Sequence, residues 1–468
     1  MKFRLSLTFL SVFLSLSISA DRTFTNCPQA WFPNTNSETL GQGLGVNIHF
    51  TDPQPGELKM IADAGFRWVR MDFVWADTEH ERRRYDFSAY DRLMQSLDQF
   101  KLHALFILDY GNPLYTPDKA VRTEEARQAF ARWAVAAAKH FAGRGVIWEM
   151  YNEPNVPLFW PPRPNVDEYA ALALTVGRAF RASVPNEKLI GPATLGIDFS
   201  FLEACFKAGL LDYWSAVSVH PYRQTNPEDA ANEYCRLRQM IDQYRPRLSR
   251  RGGGDGPSVS TQSDSDGPSV STASGSDRVI PIISGEWGFS SAWPRIDEAK
   301  QSALLARELL TNVANGIPIS IWYDWRDDGT DPKEPEHHFG LVRNAYMSDG
   351  AQVYQPKPAY LTTKTLTDFF RGYRFEQRLT VGSDQDYVLV FAKGADRRIA
   401  AWTTSSNVHR IAIPLGPGTF LVTKHTGEAT TSISANQQSL TIEVSTAPVY
   451  IMRTARPETK RDSLPPRS

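Results

Sequence analysis

From Gly41 onward the chain alternates short apolar runs with stretches whose apolar residues recur every three or four positions. A continuous or period-two apolar run marks a strand, and a period near 3.6 marks one face of a helix. GLGVNIHF at 43–50 reads as the first strand and Pro55–Ala64 as the helix after it. The unit then repeats. FRWVRMDFVW precedes a helix over Tyr90–Phe100, LHALFILDY an Ala-rich helix over Thr123–Phe141, and VIWEMYN a helix over Asp167–Ser183. LIGPAT is followed by Phe199–Ala208, AVSVHPY by Pro227–Tyr244, VIPIISGEW by Ile296–Asn315, and ISIWYDW by Pro358–Phe370. Strands alternating with helices imply a parallel sheet. Eight units in roughly 330 residues predict an α/β protein of the (β/α)8 TIM-barrel type. The strands are almost uniformly apolar, as expected where both faces are covered. An open doubly wound sheet would carry a Gly-rich phosphate turn after its first strand; NIHFTDPQPGE has none.

After about Arg371 the period shortens to two. YVLVFAK, RIAAWTTS, HRIAIPL, TFLVTKHTG, SLTIEVS and APVYIMR are separated by turn residues. They predict a small antiparallel, sandwich-like C-terminal β-domain over 371–455. Two polar segments cannot bury a core and read as disordered. One is the insert at 250–277, where DGPSVST at 255–261 recurs at 266–272; the other is the tail 456–468. The insert interrupts the barrel (41–370) between its sixth helix and seventh strand, which puts it on the N-terminal face. Residues 1–20 begin with Lys2 and Arg4, continue apolar from Leu5 to Ile18, and end on Ser19-Ala20. That is the pattern of a cleaved signal peptide, leaving 21–40 as an N-terminal extension. The expected location is secreted, periplasmic or cell-surface. No later apolar run reaches the roughly 18 residues of a membrane span.

Composition removes other classes of function. The 468 residues hold 51 Lys+Arg and 52 Asp+Glu, a formal net charge of −1, so a nucleic-acid partner is not expected. Three cysteines, Cys27, Cys205 and Cys235, make neither a disulfide framework nor a zinc motif. Cys205 and Cys235 fall on neighbouring predicted helices and are candidates for one disulfide, since export permits oxidation. His337-His338 has no third ligand at a useful spacing, so no metal or other cofactor is expected. The sequence gives no oligomeric state.

In a barrel, reactive groups stand at the C-terminal ends of the strands. Strand four ends in Tyr151-Asn152-Glu153-Pro154, strand six in His220-Pro221-Tyr222 and strand seven in Gly285-Glu286-Trp287. Strand one closes on Asn47 and His49, strand two carries Arg70 and Asp72, and strand eight carries Trp322, Asp324 and Trp325. Charge on apolar strands is costly unless paired or used. Two glutamates at the rim suit cleavage of a glycosidic bond, where one acid protonates the leaving oxygen and the other attacks or activates water.

WEMYNEPN, IISGEWG, GFRWVRMDFVW, the pair His220-x-Tyr222 and the tryptophan of ISIWYDW occur in the order, and on the strands, of clan A retaining glycoside hydrolases. The chain resembles that clan over about residues 41–370. GVNIHF, VRMDFVW, ILDYGNP, WEMYNEPN and IWYDWRDDG look closest to glycoside hydrolase family 39 and its bacterial relatives, with family 5 cellulase-like enzymes next. Many family 5 members have a histidine near the end of strand three, where this chain has Asp109-Tyr110-Gly111-Asn112. The resemblance implies Glu153 as acid/base, Glu286 as nucleophile, and Asn152 as a hydrogen-bonding partner of the sugar 2-hydroxyl. It implies that Arg70 keeps Glu286 ionised, that Tyr222 donates to Glu286, and that His220 orients groups nearby. Trp322 would be the sugar-stacking tryptophan, with Trp325 second. Asn47 and His49 would face the same cleft, and Trp75, Tyr110, Trp160 and Trp287 are further stacking candidates. The function so implied is a secreted retaining β-glycosidase with a poly- or oligosaccharide partner. The alternatives are a non-catalytic carbohydrate-binding protein, which would usually have lost Glu153, Glu286 or Asn152, and an adhesion or scaffold protein working through its β-domain.

Overall fold

Eight parallel strands close on one another in sequence order: β1 (Leu44–Asn47), β2 (Trp68–Val74), β3 (His103–Asp109), β4 (Ile147–Met150), β5 (Lys188–Leu195), β6 (Val217–His220), β7 (Ile282–Trp287) and β8 (Ser320–Trp322). β8 pairs with β1 to complete the ring. The computed structural model describes residues 39–244, 279–348, 352–428, 430–435 and 438–454. The expected signal peptide (1–20), nearly all of the extension (21–40), the insert (250–277) and the tail (456–468) lie outside the described residues. Helices follow the strands as the periodicity predicts, and several begin on a capping side chain. Thr123, Asn165, Asp198 and Asp297 each accept a hydrogen bond from an N–H of the first helical turn, satisfying donors that a helix start leaves unpaired.

The inside of the barrel is layered, and the pleat of the strands fixes the layers. Leu105, Ile190, Ala216, Ile283, Ile319 and Ile321 form an apolar plug, with Trp68 and Ile147 packed against it. Successive inward residues are two apart. Two positions beyond Trp68, Ile147, Ala216 and Ile283 come Arg70, Glu149, Ser218 and Gly285, one layer higher. On β7 the pairing skips. Ser284 pairs with Ser320 and Trp287 with Trp322, so Gly285 and Glu286 together oppose Ile321. The extra residue is a bulge. It lets Glu286 join the interior while Trp287 stays fully buried among the surrounding side chains.

The C-terminal domain is the sandwich expected. Arg374–Leu379, Asp386–Lys393, Asp396–Thr403, Gly418–Lys424, Thr430–Ala435 and Val449–Arg453 make one antiparallel sheet. His409–Ile413 pairs with Leu440–Val444, and the two layers share a core that includes Val388, Ile399, Ile411, Ile442 and Ile451. A buried polar joint helps tie the domain to the barrel. The Trp402 indole donates to Glu228 Oε1 at 2.6 Å, and Arg307 donates twice to the same carboxylate, at 2.8 and 2.7 Å. Trp402→Phe should therefore destabilise the protein by about 2 kcal/mol, the worth of a hydrogen bond to a charged group. Urea unfolding checks this, and a variant as stable as the parent would show that the joint carries no load.

The cysteine pairing differs from expectation. Cys205 is a free, buried thiol and Cys235 is disulfide-bonded, so the two are not joined to each other. Cys205 lies on the core side of the helix Phe199–Lys207 with Phe201, Leu202 and Phe206. Cys235 lies off the buried face of Ala230–Tyr244, which is formed by Ala230, Tyr234, Leu237 and Ile241.

Candidate active site

Arg70 is the hub. A guanidinium has five N–H donors in a fixed fork, and every one is used. Nε donates to Glu149 Oε2 at 2.7 Å. One terminal nitrogen donates to Asn47 Oδ1 at 3.2 Å and to Glu286 Oε2. The other donates to Asn152 Oδ1 at 2.8 Å and approaches His220 Nε2 at 3.3 Å. Arg70 is buried, which disfavours its charge, but Glu149 and Glu286 outweigh burial and hold it firmly as a cation. Glu149 is fully buried beneath the cleft and also accepts from the Ser218 hydroxyl. Gly285 makes room for it: a Cβ there would stand 2.3 Å from Ser218 Oγ and 2.8 Å from Glu149 Oε1.

Beyond β4 the backbone leaves the strand through the left-handed region, with φ of 72° at Tyr151 and 46° at Glu153. Such conformations cost a non-glycine residue of order 1 kcal/mol and persist only where the surroundings fix them. Tyr151 is fixed by its hydroxyl, whose single proton is shared between Lys119 O at 2.7 Å and Phe159 O at 3.1 Å. Glu153 is fixed by its own N–H, bonded to Ala193 O at 2.9 Å. Its side chain meets His220 Nδ1 at 2.9 Å. Arg70 can only donate, so His220 Nε2 accepts and Nδ1 carries the hydrogen given to Glu153 Oε1. Burial and Arg70 keep His220 neutral by pushing its pKa well down.

Glu286 accepts from Tyr222 Oη at 2.9 Å as well as from Arg70. One oxygen of Glu286, one of Glu153 and a nitrogen of His220 all lie within 4.8 Å of one another. Burial raises the pKa of both carboxyls. At Glu153 the charge of Glu286 pushes further the same way. At Glu286, Arg70 and the Tyr222 hydrogen bond oppose burial. The pair is therefore biased toward keeping the proton on Glu153 and the negative charge on Glu286.

The structure brings Arg70, Asn152, Glu153, His220, Tyr222, Glu286 and Asn47 into one contact network, and His49 joins it through Asn47 at 3.3 Å. Trp322 and Trp325 are corrections. Neither indole reaches the cleft, with exposures of 0% and 1%. Trp322 donates to Phe339 O at 3.3 Å and Trp325 to Glu57 Oε1 at 3.0 Å. The reason is alternation: Ile319 and Ile321 face inward, so Trp322 must face the helices and Tyr323 takes the inward place. Tyr323 is only partly buried, lies edge-on to His49 with ring centroids 5.7 Å apart, and donates to Glu336 at 3.1 Å. Trp75, Trp160 and Trp287 are likewise packed in the core, whereas Tyr110 keeps an accessible edge while stacking on Phe159. His338 is bonded to a loop carbonyl, Asp331 O, at 2.7 Å.

Residues 35–328 match the family described as Cellulase (glycosyl hydrolase family 5), well over half of the chain. The chain belongs to that family. This cellulase-family member is a glycoside hydrolase with a carbohydrate substrate, as the clan A resemblance implied. Its fold is that of a family 39 glycoside hydrolase from the gut symbiont Bacteroides cellulosilyticus WH2, at 21% identity and TM-score 0.71, covering 89% of this chain and 82% of that one. It is also similar to a family 39 β-xylosidase from Caulobacter crescentus (16% identity, TM-score 0.57, 88% and 96% covered). A family 30 endoxylanase from Clostridium papyrosolvens C71 superposes similarly (11%, TM-score 0.59, 89% and 97%). No curated protein matches the chain. Among the described residues of this glycoside hydrolase, no helix is long and apolar enough to cross a membrane.

Proposed function

We propose that the protein is an exported retaining β-glycosidase that cleaves a poly- or oligosaccharide by double displacement. Glu286 attacks the anomeric carbon while Glu153 gives its proton to the departing oxygen. Glu153, now a carboxylate, takes a proton from water, which displaces Glu286 from the glycosyl-enzyme. The observation that carries this reading is the approach of the two carboxyls to within 4.8 Å. Retaining enzymes hold the pair about 5–5.5 Å apart, and inverting ones leave about 6.5–9.5 Å for a water. The neutral His220 supports it too. By donating to Oε1 of Glu153 it leaves the proton of that acid to the other oxygen. Asn152 is held by Arg70 through its oxygen, so its amide group is free to donate toward a sugar hydroxyl. The N-terminal pattern at 1–20 is the basis for export.

NMR of the first-formed anomer tests the mechanism. Retained configuration is expected, and an inverted first product would overturn it. The pH profile adds a second check. Glu153 must be protonated, and its pKa lies well above the carboxylate norm through burial and the charge on Glu286. Glu286 must be ionised, helped by Arg70 and Tyr222. Rates should rise with pH as Glu286 ionises and fall as Glu153 loses its proton. In Glu153→Gln the alkaline fall should vanish for substrates with good leaving groups. If it persists unchanged, Glu153 is not the acid.

A further inference from the structure

One layer above Arg70 stand two acids that the cleavage steps do not use. Counting by twos, the inward residues of β2 are Trp68, Arg70 and Asp72, and those of β3 are Leu105, Ile107 and Asp109. The register pairs Asp72 with Ile107 and Val74 with Asp109, so the two aspartates are diagonal neighbours on one face of adjacent strands. Asp109 is 0% exposed, and neither of its carboxylate oxygens accepts from an N–H or O–H of the described residues. The group within hydrogen-bonding reach of it is a second carboxyl, that of Asp72. Two carboxylates in contact cannot both be ionised, so a proton lies between them. Burial first, and then Asp72, hold the Asp109 carboxyl well above the usual range, against the pull of Arg70 and Lys119. The proton therefore sits on the deeply buried Asp109, which donates it to Asp72, and the half-buried Asp72 carries the charge.

The cations nearby are engaged elsewhere. Arg70 spends its donors on the acceptors named above. Lys119 Nζ rests over the Tyr110 and Phe159 rings, 4.7 Å from each centroid. His49 is paired with Asp324 at 3.5 Å. Asp72 also forms part of the wall of a cavity of about 500 Å³, with His49, Phe50, Thr51, Met71 and Ser88. Sites for small ligands run from roughly 300 to 1,000 Å³. The residues that follow β1 and β2 frame this cavity, at the end of the barrel where Arg70 and His49 join the catalytic network. An ionised carboxylate has about four acceptor positions, of which Asp109 fills one. Sugar hydroxyls are donors suited to the others, and a hydroxyl on a carboxylate makes a strong, charge-assisted bond.

We propose that Asp72, held in place by Asp109, binds hydroxyl groups of a substrate sugar seated in this cavity beside the catalytic pair, with Asp72 as a specificity-determining residue and Asp109 as its positioning residue. This rests on the glycosidase reading above and adds a binding subsite to it. Asp109 does not touch the sugar. Its proton fixes the direction of the Asp72 carboxylate and keeps the pair to a single charge, which a dry interior tolerates better than two.

The test is calorimetric titration of the full-length protein with β-linked tetrasaccharides of glucose, xylose and mannose, in a Glu153→Gln background so that they are not cut. Asp72→Ala should weaken binding of whichever the background protein takes by at least roughly tenfold, the worth of a hydrogen bond to a charged group. Asp109→Asn keeps a donor to Asp72 and should bind nearly as the background does. Asp109→Leu, of similar size, removes the donor and should lose most of the same affinity. Infrared difference spectra add a readout that a merely structural role would not move: a protonated-carboxyl band at neutral pH, absent in Asp109→Asn, that shifts when the sugar binds. Unchanged affinity in Asp72→Ala or in Asp109→Leu, no binding of any tetrasaccharide, or a band that ignores the sugar would overturn the inference. So would stoichiometric calcium binding that Asp109→Asn abolishes, which would make the pair a metal site. Glycan cleavage by Asp72→Ala with KM unchanged would sink the subsite and leave the proposed function standing. Tetrasaccharide binding through Asp72, with no glycan cleaved by the unsubstituted enzyme, would sink the function and leave the subsite.

Discussion

Glu286→Ala is expected to lower turnover by at least about 10⁴-fold on every substrate, because no covalent intermediate can form without the nucleophile. Added azide should restore cleavage by attacking the sugar directly, giving a glycosyl azide of inverted configuration. Glu153→Ala should behave differently. Leaving groups that need a proton should suffer most and good aryl leaving groups least. Azide should then intercept the glycosyl-enzyme and give a product of retained configuration. The paired stereochemistry assigns the roles. Full activity in either variant, or azide products of the same hand from both, would sink the assignment of Glu286 and Glu153.

Arg70→Met should be the most damaging single change to stability. It strands Glu149, which is 0% exposed, with Ser218 as its remaining partner, and removes the donors to Glu286, Asn47 and Asn152. Breaking a buried pair from one side costs about 3–5 kcal/mol. Removing both charges is far cheaper, so Arg70→Met with Glu149→Met should recover much of the loss in denaturant unfolding. Activity should stay absent in the double variant, since Glu286 and Asn152 remain unheld. A single variant as stable as the parent would refute the hub.

The barrel was legible in the sequence because its strands are almost uniformly apolar and most of the helices between them repeat an apolar face every three or four residues. The strand ends then named Glu153, Glu286, Arg70, Asn152, His220 and Tyr222. What failed was choosing by residue type where geometry decides. Trp322 looked like a stacking platform, yet counting by twos from Ile319 and Ile321 leads to Tyr323. The same count from Ile147 finds Glu149, hidden inside the motif that announces Glu153. Two strands of the β-domain, RFEQRL and TTSISA, carry too few apolar residues to show alternation. The thiol pairing depended on which helix face each cysteine occupies, and spacing between helices does not reveal that.

The acceptors around Arg70 also impose an order in time. They come from β1, β4, β6 and β7, and the last of them, Glu286, is 216 residues further along the chain. No fragment of the barrel holds even a weakened version of the site, because each acceptor arrives only when its strand joins the ring. The site is therefore a property of the closed ring and of no smaller piece of it.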